Sequence, residues 1–196
     1  MIDTETMAQV GDTLVDVKFS GISWRGNDGF YYSSYAKPED GSELSGMTQF
    51  HKLYYHKLGT PQANDPLIFG GEATPRRYIF AGVTEDGRWL AISAANSTSG
   101  NELYIQDLNL PGAPIIPVLD TFDSDAYVAH AEGDMLYIVT NLDAPNQRMV
   151  RVNAATPTPE NWEDVIPEQA EPLSVSTGGG HFFAEYLRDA ISVVQQ

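Results

Sequence analysis

Ala81-Gly82-Val83-Thr84-Glu85-Asp86-Gly87-Arg88-Trp89-Leu90-Ala91-Ile92-Ser93 reads as a strand, a tight turn and a second strand. Asp-Gly reverses a chain at low cost, because glycine tolerates positive φ and the Asp carboxylate bonds nearby backbone N–H groups. The unit recurs. Ile22-Ser23-Trp24 leads through Asp28-Gly29 to Leu53-Tyr54-Tyr55-His56-Lys57-Leu58, and the quoted stretch leads on to Leu103-Tyr104-Ile105-Gln106-Asp107-Leu108. Val128-Ala129-His130 leads through Glu132-Gly133 to Met149-Val150-Arg151-Val152, and a truncated fourth copy begins at Val175-Ser176-Thr177 and turns at Gly179-Gly180. The glycines Gly29, Gly87, Gly133 and Gly180 stand 58, 46 and 47 residues apart, close to the ~40–50 residues of a four-stranded propeller blade.

Periodicity of two dominates elsewhere, as in Val17-Lys18-Phe19-Ser20-Gly21-Ile22-Ser23-Trp24, and no long amphipathic helix competes. Gly29-Phe30-Tyr31-Tyr32-Ser33-Ser34-Tyr35 and Met135-Leu136-Tyr137-Ile138-Val139-Thr140 carry the aromatic and β-branched bias of strands. A β-sandwich also has short strands with frequent turns, but it has no need for one turn chemistry to return every ~47 residues. The expected fold is therefore all-β, a partial β-propeller of about three to four blades of four antiparallel strands. Residues 1–13 form a lead-in; blades cover approximately 14–71, 75–120 and 124–168, with a partial blade at 172–196. The first interval is longer because Ala36-Lys37-Pro38-Glu39-Asp40-Gly41-Ser42-Glu43-Leu44-Ser45-Gly46 inserts a turn-rich loop, expected to be solvent-exposed.

Composition narrows the function. With 27 acidic against 11 basic residues the formal charge is -16, which repels a phosphate backbone, so nucleic acid is not an expected partner. Zero cysteine removes disulfides, thiolate chemistry and cysteine-ligated zinc, and leaves a cytoplasmic and a periplasmic location equally open. No run approaches the ~20 apolar residues of a membrane-spanning helix, and Met1-Ile2-Asp3-Thr4-Glu5-Thr6 is acidic where a signal peptide is basic. No membrane partner is expected.

Chemical motifs are sparse. No Gly-x-Ser-x-Gly string occurs, so the four histidines His51, His56, His130 and His181 read as strand or turn residues rather than as members of a Ser-His-Asp triad. His51 and His56, five apart on an expected strand, point to opposite faces and cannot share a metal. Asp120, Asp123 and Asp125 suggest a calcium loop, but its sixth position is Val128 where glycine is required. Gly178-Gly179-Gly180 lacks the context of a phosphate cradle and reads as a hairpin turn; Asn96-Ser97-Thr98 fits the glycosylation pattern but reads as a loop. No cofactor or metal is expected. Phe19, Trp24, Tyr54, Tyr55, Tyr78 and Trp89 can either pack between blades or line a peptide surface.

Three stretches carry a specific resemblance: Val17 to Trp24, then His51-Lys52-Leu53-Tyr54-Tyr55-His56-Lys57-Leu58-Gly59-Thr60, then Thr84-Glu85-Asp86-Gly87-Arg88 with Asn101-Glu102-Leu103-Tyr104. They resemble the prolyl oligopeptidase family, and Asn161-Trp162-Glu163-Asp164-Val165-Ile166-Pro167-Glu168 resembles its inter-blade segment. The resemblance covers roughly residues 14 to 194. It implies a portion of the seven-bladed propeller that caps an α/β-hydrolase domain and gates the access of short proline-containing peptides to a buried serine. It also implies that Phe19 and Tyr78, with Thr98 as a third position, fall near the wall of the pocket for the substrate residue two before the proline. The enzyme carrying such a propeller cleaves after proline, whereas these residues alone, lacking the triad, are expected to hydrolyse nothing. Expected partners are the hydrolase domain, short peptides, and further copies of the chain through open propeller edges. The alternative expectation is a propeller-like interaction module that binds a protein or peptide without catalysis.

Overall fold

The computed structural model describes residues 2–9, 11–35 and 49–196; the expected exposed insertion at 36–46 lies outside them. Among the described residues, fifteen strands form four antiparallel sheets. The first sheet is β1 (Val17–Arg25), β2 (Gly29–Ser34), β3 (Lys52–Lys57) and β4 (Leu67–Gly70), each paired with the next in chain order. The second follows the same order with β5 (Tyr78–Val83), β6 (Trp89–Ala95), β7 (Asn101–Asp107) and β8 (Ile116–Leu119). The third is β9 (Ala126–Glu132), β10 (Met135–Thr140), β11 (Arg148–Asn153) and β12 (Glu163–Ile166), and the fourth has three strands, β13 (Leu173–Gly178), β14 (His181–Arg188) and β15 (Ile191–Gln195). Among the described residues the helical elements are two 3₁₀ turns, Gln62–Asn64 and Pro159–Asn161. None is long and apolar enough to cross a membrane.

The repeat seen in the sequence marks the first hairpin of each sheet. Gly133-Asp134 joins β9 to β10 with positive φ at its first residue only, the type II′ pattern, and Gly179-Gly180 joins β13 to β14 with φ of 57° and 77°, the type I′ pattern. In the second sheet Asp86 Oδ1 accepts from the Thr84 hydroxyl (2.6 Å) and the Arg88 N–H (3.1 Å), closing the turn around Gly87. The first copy differs. Its turn is Gly26-Asn27-Asp28, and Gly29 is the first residue of β2. Glycine is needed there for clearance, since a Cβ would stand 2.1 Å from the His56 carbonyl oxygen on β3.

The residues group into two compact units, Met1–Val83 and Thr84–Gln196. In the first, β5 packs across β1, β2 and β3, and Phe30, Tyr31, Tyr32, Leu53 and Ile79 are buried. In the second, β10 is buried on both faces. Leu136 and Ile138 join Leu103, Ile105, Val118 and Trp89 of the second sheet, while Val139 joins Met149, Leu173, Ala184 and Tyr186 toward the fourth. Alternation along one pleated strand thus serves two interfaces. Each Leu or Ile so buried is worth roughly 1.5–3 kcal/mol.

Polar clamps fix the spacing of these sheets. Arg88 bonds Asp107 (3.1 Å) in its own sheet and Asp134 (2.6 Å) in the next, and Trp89 Nε1 donates to the Gly133 carbonyl (3.0 Å). The Asn161 to Glu168 segment, which resembles an inter-blade connection, contains β12 itself, the outer strand paired with β11.

Candidate functional site

The feature of the first unit that packing does not explain lies in β1. Val17 pairs with Ser34 and Ile22 with Tyr32, so Lys18 to Gly21 form a bulge opposite the single residue Ser33. Phe19, within it, adopts φ of 52°, a left-handed conformation that costs a bulky residue of order 1–3 kcal/mol. Ser20 holds the bulge by accepting the Ser33 N–H (2.7 Å) and donating to the Gly21 carbonyl (2.6 Å). A bulge re-aims side chains, and here the Phe19 ring is left 50% exposed.

The exposed ring has company. Tyr78, first residue of β5, meets Phe19 edge to face with centroids 5.6 Å apart, the arrangement favoured by ring quadrupoles. Lys18 Nζ lies 5.3 Å from the Phe19 centroid and 5.2 Å from that of Tyr35, and Phe80 is 44% exposed. Two residues that the family resemblance points to, Phe19 and Tyr78, are thus brought together; the third, Thr98, belongs to the second unit, on the exposed loop 96–99 between β6 and β7. The sequence reading missed Phe80, Lys18 and Tyr35. The Tyr78-Ile79-Phe80 alternation carries the signal for Phe80, since it places both rings on one face of β5.

The other candidate aromatics have ring or core partners, although Trp24 stays half exposed. Tyr54 stacks on Tyr32 (5.7 Å), Tyr55 lies against Tyr31 (4.9 Å) and Trp24 against Phe30 (5.1 Å), while Trp89 is in the core. The two buried histidines have separate partners. His56 Nδ1 sits 3.0 Å from both Asp65 carboxylate oxygens, and its Nε2 faces Asp12 Oδ2 at 3.2 Å without an aligned hydrogen bond, so among the described residues no hydroxyl is bonded to Nε2. His130 packs against Tyr137 and Phe182, and His181 is exposed. Asp125 is taken up by the Gly100 N–H (2.8 Å) and the Asn141 amide (3.2 Å).

His51 lies beneath the aromatic patch with 1% exposure. Its Nδ1 accepts the Ile79 N–H at 2.8 Å, which fixes the proton on Nε2, 3.2 Å from the Lys18 carbonyl. Burial pushes the imidazole below its ordinary value of 6.5, with the Lys18 carbonyl opposing. Because the folded value is lowered, the unfolded chain takes up the proton first. The stability tied to His51 is complete above about pH 6.5 and declines as pH falls from there toward the folded value. Urea melts from pH 8 to 5 should show this decline in the wild type and a shallower one in His51→Gln.

Comparison with known proteins places this geometry. The model of the prolyl oligopeptidase N-terminal β-propeller domain matches residues 1–196. A prolyl endopeptidase of Elizabethkingia meningoseptica is 56% identical over the whole chain, and prolyl oligopeptidase A of Amanita bisporigera is 34% identical over 167 residues, 80% of the chain. The chain spans 28% and 22% of the length of those two relatives. A solved structure from a study of two prolyl endopeptidases superposes with a TM-score of 0.87 at 31% identity, over 98% of this chain and 28% of that one. Prolyl oligopeptidase B of Galerina marginata, solved with a 35-residue substrate, gives 0.81 at 26% identity over 91% of this chain and 26% of that one. The four meandering sheets are blades of a partial β-propeller, and by its sequence, its strand order and its likeness to these structures the chain belongs to the prolyl oligopeptidase N-terminal β-propeller family.

Proposed function

We propose that the chain is the substrate-admitting propeller portion of a serine-type prolyl endopeptidase that cleaves short peptides after proline. The supporting observation is the Phe19–Tyr78 pair: a strained backbone spent on keeping an aromatic ring at the surface is hard to explain by packing. In this reading each sheet is one blade, with limits near 14–71, 75–120, 124–168 and 172–196. Chemistry belongs to an α/β-hydrolase partner, whose serine is acylated by the peptide and then deacylated by water. The propeller contributes shape, since a rigid wall excludes folded proteins sterically while admitting peptides.

The test is reconstitution. The chain alone should leave a chromogenic prolyl peptide intact, and mixing it with the remainder of the Elizabethkingia meningoseptica enzyme should produce turnover. Failure of complementation, with repeated capture of a different protein, would favour the non-catalytic interaction module.

Phe19 and Tyr78 are assigned to the wall for the residue two before the proline; Thr98, in the second unit, stands as a third candidate on the family resemblance alone. In the reconstituted enzyme Phe19→Ala should raise KM roughly tenfold for peptides with a large apolar residue there, with kcat unchanged, because uniform binding is what is removed. Equal KM values for wild type and variant would remove Phe19 from the wall.

Self-association belongs to the same reading. Ile22 (63% exposed) and Trp24 (48%) on β1, and Leu187 (62%), Ile191 (67%) and Val194 (57%) on β14 and β15, are large apolar side chains left uncovered. Light scattering on the isolated chain should give a mass above 21.5 kDa that rises with concentration; a constant monomer mass would contradict it.

A further inference from the structure

The bulge that exposes Phe19 and the strand that carries Tyr78 are joined by one side chain. Lys18, whose carbonyl accepts from His51 Nε2, directly precedes Phe19; Ile79, whose N–H is received by His51 Nδ1, directly follows Tyr78. The imidazole centroid lies 6.1 Å from the Tyr78 ring and 6.5 Å from the Phe80 ring. A bulge removes residues from the regular ladder, and His51 returns a partner to one of its carbonyls. A neutral imidazole offers one acceptor and one donor, rigidly opposed on a flat ring, so the two backbone segments are held at a fixed separation.

We infer that His51 is a positioning residue, setting the Phe19–Tyr78 geometry and through it the affinity for the substrate residue two before the proline. This rests on the peptide-facing reading of the ring pair, but its structural half can be tested without it. Asparagine places an acceptor where Nδ1 lies and glutamine a donor where Nε2 lies, so His51→Asn and His51→Gln each retain one tie and cut the other. A side chain that merely fills the core would be replaced by either with the rings undisturbed.

The first measurement is NMR on the isolated chain. Wild type should show the Nε2–H tautomer for His51 and cross-ring contacts between Phe19 and Tyr78; an Nδ1–H tautomer would overturn the inference whether or not any variant folds. In both variants, with strand content checked by circular dichroism, the cross-ring contacts should disappear. The second measurement is kinetic, in the reconstituted enzyme: both variants should raise KM roughly fivefold for peptides with a large apolar residue two before proline and leave kcat unchanged. If Phe19→Ala leaves KM unchanged, the peptide-facing reading fails, and the ring contacts alone decide the role of His51. If Phe19→Ala raises KM while both His51 variants keep wild-type ring contacts and KM, the positioning role is overturned.

Discussion

Replacing Gly29 with alanine should cost the chain about 3 kcal/mol or more, a loss visible as a large drop in the urea midpoint of the first unit. The added Cβ would stand 2.1 Å from the His56 carbonyl oxygen and 2.8 Å from the Tyr55 hydroxyl. The first is a backbone atom of the adjoining strand and cannot step aside without parting β2 from β3, which pair from Gly29–Lys57 to Ser34–Lys52. Gly21 supplies the control: nothing lies within 4 Å of its Cβ position, so Gly21→Ala should stay within about 0.5 kcal/mol of wild type. Similar losses for the two would mean that the β2–β3 contact is not as described.

Removing the Asp65 carboxylate should be comparably damaging. Its side chain is 2% exposed and serves two buried donors, His56 Nδ1 at 3.0 Å and the Tyr32 hydroxyl at 2.9 Å. Burial pushes the Tyr32 phenol up to about 12, with Gln62 opposing and Asp65 adding to the rise, so the hydroxyl keeps its proton and donates. Asp65→Ala strands both groups in a site closed to water, at a cost of about 3 kcal/mol. Gln62 extends the network to the segment before β1 through Val15, whose N–H and carbonyl it bonds at 2.9 and 3.0 Å. Asp65→Ala should therefore also raise hydrogen exchange at the Val15 amide. Unchanged stability would show that the network is not closed.

The parts of the fold written in local chemistry were legible. Asp86-Gly87 and Glu132-Gly133 mark reversals because turn preference is a property of a few adjacent residues, and the aromatic and β-branched bias of Met135 to Thr140 marks a strand for the same reason. The outer strands were harder to see. β4, β8 and β12 have four residues each, and β8 contains Pro117, which an outer strand tolerates and a central one does not. Gly29 was counted as a turn glycine, whereas its reason is the close approach of β3, which no local pattern reveals. At the site, Phe19 and Tyr78 came from family resemblance; the bulge that exposes Phe19 has no sequence signature, since nothing in Lys18-Phe19-Ser20 announces a positive φ. His51 read as an ordinary strand residue because its partners are backbone atoms 33 and 28 positions away.

A chimera measures the functional account most directly. This chain replaces the matching segment of the Elizabethkingia meningoseptica prolyl endopeptidase, and kcat/KM is determined for a short prolyl peptide and for a folded protein displaying the same sequence on its surface. Turnover of the peptide within roughly tenfold of the parent enzyme, with the folded protein left intact, is the predicted result. A well-folded chimera that cleaves neither, or that cleaves both alike, would contradict it.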